Sequence, residues 1–162
     1  LPPRLRGVAL VVPRGLVERR TAGSGASPTG FSEDAKSRAE IERLAMDSVI
    51  AAARTPGNEP TDVSMHNRGW DIESVDRDTG SLRLIEVKGR HHEARDVILT
   101  KNELLASLNA PDRFILALVL VEKGYAQEPI YIRRFFTREL SFVETGSILN
   151  INGLMSMGTS PC

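Results

Sequence analysis

Phe114 to Val121 reads FILALVLV, a nearly unbroken apolar run that follows Pro111-Asp112 and stops at Glu122-Lys123-Gly124. Successive side chains of a strand point to opposite faces, so a run without polar alternation predicts a central strand buried on both sides. Such a strand needs a layer of structure over each face of its sheet. The chain can supply those layers, because 162 residues at 41% hydrophobic and 26% charged are enough for one domain with a sizeable core.

Ser32 opens a helical pattern that runs to about Arg54. Serine is a good N-cap, and Glu33 and Asp34 suit the positive end of the helix dipole. Ile41, Leu44, Ala45, Ser48, Val49 and Ala52 recur at helical spacing and give a core-facing stripe, and Thr55-Pro56-Gly57-Asn58 ends it. Gly69–Val75 and Ser81–Lys88 read as two strands around the turn sequence Asp76-Arg77-Asp78-Thr79-Gly80, which predicts an antiparallel hairpin. Val97-Ile98-Leu99 is a third short strand. Thr100 and Glu103 form a capping box that opens a helix through about Leu108. Ile130–Phe136 reads as a last strand.

The expected architecture is therefore α/β (α+β), with a mixed central sheet flanked by helices. Residues 1–30 read as a connector from a preceding domain, with an apolar run at Val8–Val12 and a flexible linker from Thr21 to Gly30. Residues 31–136 form the folded domain, and 137–162 a tail in which no element is expected. The Leu1-Pro2-Pro3-Arg4 start, lacking an initiator Met and an apolar h-region, reads as a cut from a longer chain. No apolar run approaches the eighteen or so residues that span a bilayer. Cys162 is the only cysteine, which excludes an internal disulfide and suits a reducing, intracellular, cytoplasmic setting. Lysine plus arginine equals aspartate plus glutamate at 21 each. Net charge thus points to no partner, whereas a dedicated duplex-binding domain is usually basic.

The chemistry concentrates in the hairpin. Leu82, Leu84, Glu86 and Lys88 share one face of the second strand, which begins apolar and ends in opposite charges. A turn centred between Asp78 and Thr79 sets Ile72 against Ile85 and Trp70 against Val87, and those apolar matches favour this register over a one-residue slip. The same register puts Asp71 opposite Glu86, roughly 5 Å apart at Cβ. Two carboxylates that close raise each other's pKa unless a cation sits between them. Lys88 supplies one positive charge, and a hard divalent ion would supply more. A solvated Glu–Lys pair is the plainer account of Glu86-Val87-Lys88 alone.

Asp71, followed fifteen residues later by Glu86-Val87-Lys88 on a hairpin after a long helix, resembles the PD-(D/E)xK nuclease superfamily. The segments IERLAMDSVI, PTDVS, GWDIES, IEVKGR and LTKNE together resemble the DUF3883 family, the C-terminal domain of NO VEIN-type proteins, from about Ile41 to Val121. The opening LPPRLRGVALVVPRGLV is similar to the stretch that joins this domain to a bacterial Snf2- or DEAD-type helicase. The resemblance implies a restriction-endonuclease-like core and a Mg²⁺ or Mn²⁺ ion bound by Asp71, Glu86 and the Val87 carbonyl. It also implies that Lys88 orients or deprotonates the attacking water, and that Glu42, or more weakly Glu40, assists through water. DNA and a helicase domain of the same parent chain are the implied partners. Trp70 stands where the superfamily's name has Pro.

Arg90, His91, His92, Arg95, Lys101 and Asn102 are candidates for phosphate contacts beside the metal. Glu93 and Asp96 balance several of them, so a solvated charged loop explains the same residues. Capping accounts for Thr100 and Glu103, turn formation for Asp62, and pairing with Val87 for Trp70. The implied activity is metal-dependent hydrolysis of DNA, and the alternative is a docking domain that keeps the fold without cutting.

Overall fold

The structure, a computed structural model, describes residues 29–161. The Val8–Val12 run and the stretch from Thr21 to Pro28 lie outside them. Contacts divide the chain after Arg38, and the sheet and both cores belong to the second unit, Ala39–Cys162.

Helix α1 spans Thr29–Arg54, so it begins three residues before the expected start at Ser32. Its C-terminal end falls where Thr55-Pro56-Gly57 predicts. Ala45, Val49 and Ala53 are buried, while Ile41, Leu44, Ser48 and Ala52 are half-buried. Strand β1 (Glu59–Asp62) was not foreseen. Its exposed residues give no alternation to read, and Pro60 is tolerated because the strand lies at the sheet edge.

Strand β2 (Ile72–Val75) is shorter than the predicted Gly69–Val75, and β3 (Leu82–His91) is longer. Their ladder pairs Ile72 with Ile85, as apolar matching predicts. It ends there, so the expected Trp70–Val87 pairing does not form; the half-buried Trp70 instead donates its indole N–H to Glu73 Oε1 at 3.2 Å. Strand β5 (Phe114–Glu122) runs parallel to β3, pairing Glu86 with Leu116 and Lys88 with Leu118. A parallel pair needs a crossover. Here it contains β4 (Asp96–Thr100) and helix α2 (Lys101–Asn109), the latter opened by the predicted Thr100–Glu103 capping box.

Residues from Thr137 onward are not structureless. Strand β8 (Gly146–Asn150) pairs antiparallel with β4 in a separate two-stranded sheet, and helix α3 (Ile151–Met155) follows it. Strand β4 therefore does not join the main sheet. The main sheet runs β1-β2-β3-β5-β6, with β6 at Tyr125–Ala126 and β7 at Ile130–Ile132 also paired to β5. The last predicted strand is cut short after Ile132.

Strand β5 is buried on both faces, as its composition requires. Ile115, Ala117 and Val119 pack with Ala45 and Val49 of α1 and with Ile72 and Ile85. Leu116, Leu118 and Leu120 pack with Val97, Leu99, Leu104, Ile151 and Leu154. The α/β layering thus has α1 over one face and the α2, α3 and β4–β8 elements over the other.

Candidate metal centre

Strand β2 leaves β3 at Ile72, so from Glu86 to His91 strand β3 is paired with β5 on one side only. A cleft of about 570 Å³ opens at this free edge. Its lining includes Asp71, Glu86, Val87 and Lys88, together with Glu42 and Met46 from α1, Asp62 from β1, and Glu103 from α2.

Gly89 sets how closely α1 approaches that edge. A Cβ on it would stand 2.8 Å from both the Ala45 Cβ and the Ile41 carbonyl oxygen. No side chain larger than hydrogen fits, and this close crossing carries Glu42 to the cleft.

Asp71 stands just before β2. Its N–H donates to the Ile85 carbonyl at 2.9 Å, and its Oδ2 accepts the Val87 N–H at 2.9 Å. A residue's N–H and C=O point to the same side of an extended strand, so the Val87 carbonyl also faces the open edge. Burial raises the Asp71 pKa, outweighing the Val87 hydrogen bond and the charge of Lys88.

Glu86 is almost wholly enclosed, with 3% of its surface exposed. Burial pushes its carboxyl up to about 8, against the pull of Lys88 and with the push of Asp71 and Glu103. The Lys88 Nζ lies 2.6 Å from Glu86 Oε1 and 3.0 Å from Glu103 Oε2. Burial disfavours the lysine's charge, but these two carboxylates more than offset it and hold its pKa above the ordinary value. The Lys88 ammonium thus pairs directly with two carboxyl groups, and Asp71 also feels its charge.

Among the described residues, no three side chains of His, Cys, Asp and Glu are grouped to hold a metal ion. The donors on offer are two carboxylates and a main-chain carbonyl. All are oxygens, the chemistry that suits a hard divalent cation.

A family model, that of Protein NO VEIN, C-terminal, matches residues 41–132. The chain belongs to the NO VEIN C-terminal family. The match covers more than half of the sequence and contains every cleft residue named above. No curated protein and no solved structure matches the chain.

Within this NO VEIN C-terminal domain the other anticipated residues are scattered. Arg90 lines the cleft and donates to the Gly89 carbonyl at 2.8 Å. Asn102 lines a smaller recess beside it and donates to the Asn67 carbonyl at 3.1 Å. Glu40 is exposed on α1 and is not part of the lining. His91 and His92 are exposed, with rings 4.5 Å apart, and Arg95 is exposed near α3, its carbonyl accepting the Ile151 N–H. None of these three lines the cleft. Lys101 is turned elsewhere: its ammonium donates to the Phe142 carbonyl at 2.9 Å and lies 5.5 Å from the centre of the Phe142 ring. That partner comes from a segment whose sequence gives no structural signal, so the contact was not foreseeable.

Two site residues were missed. Asp62 accepts from Ser64 N and Oγ, as a turn residue does, yet it also faces Asp71 across the cleft. Glu103 closes the capping box and also pairs with Lys88. Each had a sufficient local explanation, which hid its second contact.

Proposed function

We propose that this domain is a metal-dependent phosphodiesterase acting on DNA. The observation that carries the reading is the convergence of Asp71, Glu86 and Lys88 in one cleft at the free edge of β3. The buried Glu86 and the half-buried Asp71, each with a raised pKa despite the charge of Lys88, favour a further cation. Asp71, Glu86 and the Val87 carbonyl would hold Mg²⁺ or Mn²⁺, with Glu42 placed to assist through water. When bound, the ion polarises a phosphoryl oxygen and neutralises charge developing on it.

The chain's own residues define the remaining roles. Lys88 is held charged by Glu86 and Glu103, so it acts through its charge, orienting the attacking water and stabilising the phosphate. Arg90 offers a positive group at the cleft for a neighbouring phosphate. The resemblance of the opening segment to a helicase connector supports a place beside a helicase in defence or repair.

Incubation with plasmid and with single-stranded DNA, in Mg²⁺ or Mn²⁺, beside Glu86→Ala, tests the reading. Cutting by the wild type alone supports it. Equal cutting by both, or by neither, removes the catalytic claim and leaves a docking domain that keeps the fold.

A further inference from the structure

We propose that Glu103 is the positioning residue for the Lys88 ammonium, coupling the first turn of α2 to the cleft. The proposal deepens the phosphodiesterase reading and rests on it.

A lysine ends in a compact charge on a flexible four-carbon stem, so a lysine that must stand at one point needs a fixed partner. Glu86 touches the Lys88 Nζ at 2.6 Å, but Glu86 is also the acid proposed to face a cation. Glu103 is the second partner, at 3.0 Å, and it is itself immobilised. The same Oε2 accepts the Thr100 N–H at 3.0 Å, closing the capping box of α2. Asn102, one residue earlier, ties this turn to the Asn67 carbonyl at 3.1 Å, in the loop that leads to Asp71. The turn carrying Glu103 is thus anchored to the segment carrying the first acid. Both side chains of the Lys88–Glu103 pair are largely enclosed, at 15% and 12% exposed.

Capping alone does not require this arrangement. A glutamine at the third helical position completes a capping box as well as a glutamate does. The negative charge beside Lys88 is therefore separable from the cap, and two substitutions divide the roles. Glu103→Gln keeps an acceptor for the Thr100 N–H and removes the charge. Thr100→Ala removes the hydroxyl cap and leaves Glu103 charged and still bonded to the main chain.

The experiment uses the whole chain, labelled with ¹³C at the Cε of its four lysines, with Lys88→Arg assigning the signal. Glu103→Gln is expected to melt close to the wild type. Its Lys88 Cε should become mobile in relaxation measurements, and kcat should fall by about 10- to 100-fold with little change in KM for DNA. Thr100→Ala is expected to melt lower while Lys88 stays rigid and cutting is kept. A Lys88 that stays rigid in Glu103→Gln overturns the proposal. So does a folded Thr100→Ala that loses cutting as fully as Glu103→Gln. If the wild type cuts no DNA, the phosphodiesterase reading fails by itself. Lys88 mobility in Glu103→Gln then decides whether Glu103 fixes the ammonium.

Discussion

Asp71 Oδ2 accepts the main-chain N–H of Val87 at 2.9 Å, two residues along β3 from Ile85, where the β2–β3 ladder ends. This bond ties the first acid to the strand between Glu86 and Lys88, where no strand pairing remains to do so. Asp71→Asn keeps an acceptor for that N–H and should unfold within about 1 kcal/mol of the wild type. Asp71→Ala leaves the N–H without its partner and should cost about 1–3 kcal/mol. Denaturant melts of the two variants, without divalent ions, measure the difference, and equal stabilities would refute this role.

Glu86 gives the fold a pH dependence. Its carboxyl titrates at about 8 in the folded chain, against 4.5 for an ordinary glutamate. Between those values the folded chain keeps a proton that the unfolded chain releases. Stability is therefore highest below the window and falls as pH rises through it, by on the order of a few kcal/mol. Glu86→Gln should flatten this slope. Urea unfolding across the window, in chelator, checks it, and parallel profiles for the two proteins would contradict it.

Gly89→Ala tests how the fold places Glu42. The added methyl meets main-chain and side-chain atoms of α1 at 2.8 Å. The helix must shift, at a cost of about 1–3 kcal/mol. Thermal melting measures the loss, and an unchanged melting temperature would show that α1 does not pack as described.

Much of this arrangement was legible in the sequence, and the reasons for the rest are local. The FILALVLV run required a strand with two covered faces, and the pairing of Ile72 with Ile85 followed from apolar matching. The Thr100–Glu103 box followed from residue types alone. Strand β1 was hidden because its residues are nearly all exposed, and β8 because its partner β4 lies some fifty residues earlier in the chain. At the site, strand periodicity put Glu86 and Lys88 on one face, and Asp71 followed from the hairpin register set by Ile72 and Ile85. Asp62 and Glu103 could not be read in this way, because tertiary packing brings them to the cleft from β1 and α2. Lys101 could not be separated from Arg90 without knowing that Phe142 folds back onto it.

That separation has a consequence in solution. Arg90 lines the cleft, so Arg90→Ala should weaken DNA binding and reduce the salt slope by about one unit. Lys101→Met should leave the slope unchanged and lower stability, because it loses the Phe142 contacts. Fluorescence anisotropy at several salt concentrations separates the two, and a larger slope change in Lys101→Met would reverse the assignment.

The account stands on Asp71 and Glu86 forming one divalent-ion site, and calorimetric titration of the wild type with Mn²⁺ addresses that directly. It predicts binding that strengthens as pH rises toward 8, with release of about one proton, and that disappears in Asp71→Asn although the variant stays folded. No binding by the wild type, or equal binding by Asp71→Asn, would contradict it.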